Sequence, residues 1–357
     1  MKSKNLFPVI LIIVYTFLLL GGCAQDTTSP VPEESKIGWI VGDPIDGYGT
    51  ILYTKDGGQN WQRQGDSLSV PDCHLNTVRA VDSLNVWIVG DQLSGMGTIL
   101  KTNDGGDNWQ WLGDKSEIPN EEFLGLYTCS SDEVWIVGSN NTIIHTSDGG
   151  NTWESKADTA FLPYNLCSIT IEGDKIWVCG NTETLGGTII HSDDYGETWT
   201  KQAEGEFLQE RGMIEISAGC ENSVWCVGHG RTVLHTSNGG SNWDVQRTDI
   251  NPTWDANGVT AINGNIAWVV EDLSYIRYTE NGGENWTTQD VPPGAGAYLL
   301  YRICPLNTKE AWAVGPYGGK FDFGVILYTD DGGKTWVMQD YEPNVMLWDV
   351  SFVDSYH

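Results

Sequence analysis

Three histidines, His145, His191 and His235, lie 46 and 44 residues apart, each in a TIIHT-like frame. Imidazoles repeated in register could begin a metal site, because imidazole nitrogen is a common zinc ligand. Tyr53, Lys101, Tyr278 and Tyr328, however, fill the same position elsewhere in the chain. If that position lies on corresponding strands of adjacent sheets, neighbouring copies stand about 12–15 Å apart, given strand spacings near 4.8 Å. Metal ligands must converge within a few ångströms, so neither a metal nor another cofactor is expected. The 17 tryptophans invite a sugar-stacking reading. Fourteen of them fall into two repeated settings: Trp39, Trp87, Trp135, Trp177, Trp225, Trp268 and Trp312, and then Trp61, Trp109, Trp153, Trp199, Trp243, Trp286 and Trp336. Such repetition marks a core for these fourteen, and leaves Trp111, Trp254 and Trp348, the last within the stretch 346–357 that reads as a closing strand.

Other chemistries lack parts. No G-x-S-x-G elbow supports a serine hydrolase. Sialidase chemistry needs three arginines around a carboxylate, an acid and a tyrosine nucleophile with its base. No Arg-Ile-Pro-type segment lies near the N-terminus, and no such constellation stands out. In a chain with 48 acidic residues, paired carboxylates carry little information. The expectation is a protein without enzymatic activity. Beyond Cys23, seven cysteines remain, at 73, 129, 167, 179, 220, 226 and 304. An odd count leaves at least one unpaired. Cys179 and Cys226 sit in apolar stretches as small core residues do, and a Cys220–Cys226 pair across a hairpin is an open alternative.

The elements that hold these residues follow from the chain's organisation. Lys2 and Lys4 precede fifteen uncharged residues, Leu6–Leu20, and then Leu-Gly-Gly-Cys ending at Cys23. That is the pattern of a bacterial lipoprotein signal over residues 1–22. The apolar run is shorter than the roughly 20 residues that span a bilayer. Cys23 would carry the lipid, and two or three acyl chains anchor firmly at about 0.8 kcal/mol per buried methylene. Residues 23–36 read as the lipidated cysteine and a polar, proline-containing tether. Without residues 1–22 the balance is 17 basic to 48 acidic residues, a net charge of −31. Such a field repels phosphate backbones, which excludes nucleic acid as a partner. The expected address is the cell envelope of a diderm bacterium, with the outer membrane favoured because Ala24 follows the cysteine.

Residues 37–357 repeat. An acidic, glycine-rich turn recurs as TKDGGQNW (54–61), TNDGGDNW (102–109), TSDGGNTW (146–153), SDDYGETW (192–199), TSNGGSNW (236–243), TENGGENW (279–286) and TDDGGKTW (329–336). Ten to twelve residues before most of these lies a segment such as GWIVG or VWIVG. Each unit reads as four short strands, exemplified by 126–130, 134–138, 142–146 and 152–156. The second strand is apolar on both faces, so its sheet must be covered on both sides. Seven such sheets hide their faces by packing radially, which predicts an all-β, seven-bladed propeller with four-stranded blades.

Within the turn, Asp56, Asp104, Asp148, Asp194, Asn238, Asn281 and Asp331 are placed to accept the turn's own amides, with glycine supplying positive φ. Asn in two copies keeps the accepting oxygen, which speaks for scaffold over catalysis. Tyr195 replaces the first glycine, so Gly196 is the one geometry demands. The tryptophan that follows is expected to fold back over the hairpin. The first unit lacks a first strand, and residues 346–357 resemble one. The last segment should therefore complete the first blade.

The Asp-box turn is shared with bacterial neuraminidase repeats. Its combination with W-[IV]-V-G and G-T-I-L-x-T-x-D-G-G-x-x-W resembles the photosystem II assembly and stability factor type of propeller, over roughly residues 37–357. The resemblance implies a propeller that assists assembly of a membrane complex, with some members lipidated and an arginine-rich patch in use. Here the seven arginines (63, 79, 211, 231, 247, 277 and 302) are scattered over the blades.

Recognition on repeated scaffolds is built where the copies differ. The repeats differ in the segments between second and third strands, 43–49, 91–97, 181–187 and 316–324, and between blades, 111–123, 203–212 and 248–257. These supply Asp46, Tyr48, Asp91, Glu206, Arg211, Trp254, Asp255, Tyr317 and Asp322 as candidate binding residues. The expectation is a monomeric, lipid-anchored scaffold that binds a protein on this rim. The alternative is a glycan-binding or sialidase-like glycan-cleaving envelope protein. Carboxylates or unpaired aromatics on the rim would favour the glycan, and a flat apolar patch the protein.

Overall fold

A computed structural model describes residues 35–158, 164–182, 186–203, 208, 211–247, 254–292, 299–317, 323–342 and 345–353. All regular structure among them is β, in seven four-stranded antiparallel sheets. No helix among these residues is long and apolar enough to cross a membrane. The sheets are the blades of the expected propeller. In the third blade the second and third strands, Val134–Gly138 and Thr142–Thr146, fall at the expected residues. The first strand begins earlier than anticipated, at Phe123, whose ring fills the seam with the preceding blade. The fourth is only Glu154–Ser155, because the Asp-box turn takes up the residues before it.

Leu347–Val353 joins Ile37–Ile45, in register from Ile37 opposite Val353 to Val41 opposite Asp349, and so completes the first blade. The hydrophobic core is correspondingly distributed. Seven clusters lie at the seams, one example uniting Trp87, Val89 and Ile99 of the second blade with Phe123, Leu126, Val134 and Ile136 of the third. Each second-strand tryptophan is 2 % exposed or less. Burying one such side chain removes 150–250 Å2 from water.

The in-register histidines are part of this packing. His145 stacks on Trp135 with centroids 4.3 Å apart, and His235 on Trp225 at 3.8 Å. His191 meets Trp177 at 4.8 Å. Tyr53, Tyr278 and Tyr328 cover Trp39, Trp268 and Trp312 in the same way, and the Lys101 ammonium sits 5.5 Å from the Trp87 ring. Burial pushes His235 down to about 4. All seven cysteines from 73 to 304 are free thiols, so the Cys220–Cys226 pairing is not formed.

The Asp-box turns are built alike in all seven blades. In the third, Thr152 N donates to Asp148 Oδ1 at 2.9 Å, while the Thr146 hydroxyl donates to Asp148 Oδ1 and accepts Gly150 N at 2.9 Å. The threonine or serine two residues before the Asp is therefore an equal member of the turn. Asn238 and Asn281 make the same bonds through Oδ1. Tyr195 adopts the left-handed φ of 56° that glycine takes elsewhere. At Gly196 φ is 80°, and a Cβ would come within 2.6 Å of the Trp135 ring, so this glycine is required twice over.

The tryptophan after each turn does more than cover its own hairpin, because it wedges against the preceding blade. Trp153 meets Trp87 edge-on at 6.3 Å, and Trp336 meets Trp268 at 5.9 Å. A glutamine three residues later forms a latch the sequence reading missed. Gln64, Gln202, Gln289 and Gln339 each donate to a carbonyl of the next blade's Asp-box, Gly105, Gly239, Gly332 and Gly57. Gln339 does so across the closure between the seventh and first blades.

Candidate functional site at the channel mouth

First strands of all seven blades line a central cavity of about 170 Å3. A strand facing a channel leaves one edge unpaired, and here side chains of the adjacent blade cap it. Val78 N donates to Asp349 Oδ2 at 3.0 Å, Val259 N to Glu215 Oε2 at 2.7 Å, and Ala261 N to Ser217 Oγ at 3.0 Å. Two ion pairs sit in the cavity, Arg79–Asp349 at 2.5 Å and Arg302–Glu215 at 3.2 Å. Burial raises Glu215 against the pull of Arg302 and Arg79. The channel arginines are thus neutralised from within.

At the rim opposite the Asp-boxes, the residue following the second-strand core repeats as Asp43, Asp91, His229 and Asp272. Their backbone amides bond to Met346, His74, Gly212 and Asp255 carbonyls, each at 3.0 Å. This common anchoring brings their side chains beside the start of the first strands. There, three equivalent first-strand residues hold the carboxylates. Trp348 Nε1 donates to Asp43 Oδ1 at 2.5 Å, Asn76 Nδ2 to Asp91 Oδ1 at 2.8 Å, and Asn257 Nδ2 to Asp272 Oδ1 at 2.9 Å.

Aromatic rings complete the arc. Tyr301 and Trp348 are half-buried and stack with centroids 5.1 Å apart and planes 9° from parallel. His74 stands edge-on to Trp348 at 6.4 Å and shares Asp43 Oδ1 with it, at 2.7 Å. The Tyr301 phenol is raised by burial and by the charges of Asp272 and Asp43, which flank it. Farther round, His229 Nδ1 pairs with Asp255 Oδ2 at 2.8 Å. That bond raises His229 despite its burial. Burial alone would raise Asp255, but the bonds from His229 and Gly230 hold it lower.

Of the candidates read from sequence, Asp91 and Asp255 lie on this arc. Asp46 and Tyr48 do not, because 43–49 is no loop. The hairpin continues past a bulge to a two-residue turn, Asp46-Gly47, with φ of 56° and 84°. Arg63 secures it, stacked 3.6 Å over Tyr48 and 3.2 Å from Asp46. Segment 91–97 is built the same way around Ser94-Gly95. Trp254 covers Arg231 at 4.5 Å, and that guanidinium and Arg277 share the buried Glu271. Arg211 bonds Gly230 O and Thr232 Oγ1, each at 3.3 Å. Tyr317 is partly buried against the core between the sixth and seventh blades. Glu206, Asp322 and Cys23 lie outside the described residues.

The reading missed Asp43, His74, Asp272, Tyr301 and Trp348. Aligning the residue after each second strand would have found the two carboxylates. Trp348 lies in the closing strand, whose sequence gives no sign of a place at the rim. Of the two rim criteria, the carboxylates at the mouth meet one arm of the glycan criterion, while the aromatics there are paired.

These features define a seven-bladed Asp-box propeller, velcroed shut by strand Leu347–Val353, with carboxylates and aromatic rings gathered at one mouth of the channel. The chain belongs to the photosystem II assembly factor YCF48 family, whose profile matches residues 120–213 and 189–299, together half of the sequence. The BNR/Asp-box repeat profile matches residues 327–338. No curated protein matches the sequence. Among solved structures, YCF48 bound to a D1 peptide is similar at 20 % identity and a TM-score of 0.57, over 74 % of this chain and 82 % of that one. YCF48 from Cyanidioschyzon merolae is similar at 15 % identity and 0.59, over 85 % and 97 %. A GH74 xyloglucanase from Xanthomonas campestris is similar at 11 % and 0.61, over 90 % of this chain and 55 % of the enzyme. At these identities the likeness is one of fold.

Proposed function

We propose that this protein is a lipid-anchored, non-enzymatic scaffold that binds a segment of a membrane-protein partner at the channel mouth and assists assembly of a membrane complex. The observation that carries the reading is the arc of Asp43, His74, Asp272, Tyr301 and Trp348, assembled from four blades on the rim where the repeats diverge. Membership of the YCF48 family and the D1 peptide bound to one YCF48 support a protein ligand. A glycan ligand draws on the half-buried Trp348 beside carboxylates and on the GH74 fold likeness. The anchor is Cys23, in the outer membrane of a diderm envelope.

In-cell crosslinking of the tagged protein with mass spectrometry tests this. The expected result is a reproducible membrane-protein partner, lost with Trp348→Ala. Recovery of polysaccharide alone would move the assignment to glycan binding. Cys23→Ala should abolish fatty-acid labelling and shift the protein from the membrane to the soluble fraction. An unchanged membrane fraction would remove the anchor from the proposal.

A further inference from the structure

The chemistry of the mouth narrows what kind of segment can sit there. The stacked Tyr301–Trp348 pair presents aromatic surface at the head of the channel, flanked by Asp43 and Asp272 and, one blade on, by Asp91. A face of indole or phenol attracts cations through its quadrupole. Each carboxylate is pinned through Oδ1 to a first-strand donor, which fixes its direction before any ligand arrives. Oriented charge of this kind complements an incoming cation with little reordering. The nearest arginines, Arg79 and Arg302, are committed to Asp349 and Glu215 deeper in the channel. Arg231 and Arg277 are committed to Glu271. An acidic tail would therefore meet carboxylates and committed guanidinium groups.

Resting on the scaffold reading above, we infer that the docked segment is basic: a lysine or arginine of the partner lies against the Tyr301–Trp348 shelf between Asp43 and Asp272. The aromatic shelf gives the contact, and the complementary charge gives its sign.

The test uses the purified soluble body and two short fluorescent peptides, one of glycine, lysine and tyrosine, the other with glutamate in place of lysine. Binding is followed by anisotropy at low and at physiological salt. The lysine peptide should bind, weakening as salt shortens the screening length to about 8 Å. Asp43→Asn with Asp272→Asn should weaken it about tenfold, and Trp348→Ala about three- to tenfold, the range expected of a partly solvated cation–π contact. Asp107→Asn with Glu284→Gln, two exposed acids on the Asp-box rim, removes the same charge elsewhere and should change little. Trp348→Phe should retain most of the binding, and thermal melts identify any variant that fails to fold. Equal loss in the control pair would reduce the effect to net charge and overturn the inference. So would preference for the glutamate peptide, no binding of either, or binding of neutral oligosaccharides at Trp348 instead. If crosslinking captures a partner while the lysine peptide fails, the basic segment falls and the scaffold stands. If capture fails as well, both fall.

Discussion

The two rims of this propeller follow opposite rules. On the Asp-box rim, seven turns make the same bonds from Thr or Ser, Asp or Asn, and Gly; their tryptophans pack against the blade before, and glutamines in four blades latch to the blade after. On the other rim, the corresponding position carries Asp43, Asp91, His229 or Asp272, with its backbone held alike and its side chain free to differ. Sameness on one side lets difference on the other be positioned accurately. The lesson is that on the variable rim the fixed bond is a backbone bond, and the variable chemistry is the side chain of the residue that makes it.

This contrast can be broken most forcefully at the seams. Trp135→Ala should cost about 3–5 kcal/mol, the usual loss for a buried large aromatic, read as a fall in denaturation midpoint. A loss below 1 kcal/mol would mean that the blades do not depend on their shared tryptophans.

The next effect is acidic. Asp148, Asp194 and Asp331 are held at about 2 by hydrogen bonds from their own turns. A carboxyl lowered on folding stabilises the protein above its unfolded value, near 4, and loses that contribution as pH falls towards 2. Replacing all three with Asn, as the fifth and sixth blades already have, should flatten the melting-temperature profile between pH 4 and 2. A profile as steep as wild type would refute the role.

On the variable rim the dependence should run the other way. His229 is raised by Asp255, so its contribution is complete below about 6.5 and lost as pH rises through its folded value. His229→Gln should therefore lower the melting temperature more at pH 6 than at pH 8.5. An equal loss at both would reduce the pair to a neutral hydrogen bond. The smallest effect belongs to Asp46. Its side chain is 77 % exposed, and Asn tolerates the same left-handed turn, so Asp46→Asn should change stability by less than about 0.5 kcal/mol. A larger loss in chemical denaturation would give that hairpin tip a role in the fold.

The fold was legible because its determinants repeat. Seven second strands, seven Asp-boxes and a missing first strand lead directly to seven blades and a terminal strand that closes them. Side-chain latches were less legible: Gln64, Gln202, Gln289 and Gln339 recur three residues after tryptophan, but their partners lie a full blade away. The mouth was legible only in part. Asp91 and Asp255 were found in variable segments, whereas Trp254 drew attention for lacking a repeated setting and turned out to cover Arg231. Tyr301 and Trp348 meet because two first strands converge on an axis, which no local pattern encodes.

The pairing of Ile37–Ile45 with Leu347–Val353 has a consequence for biogenesis. Ile37–Ile45 has to wait for a strand made six blades later, and the loop between them is nearly the whole body. Contacts of such separation form late and slowly. Blades can collapse in turn as they emerge, but the first keeps its inner edge open until the final strand arrives. A chain cut short before Leu347 would retain that open edge, a surface prone to pairing with other chains. Closure thus ties the completion of the first blade to the arrival of a strand made six blades later.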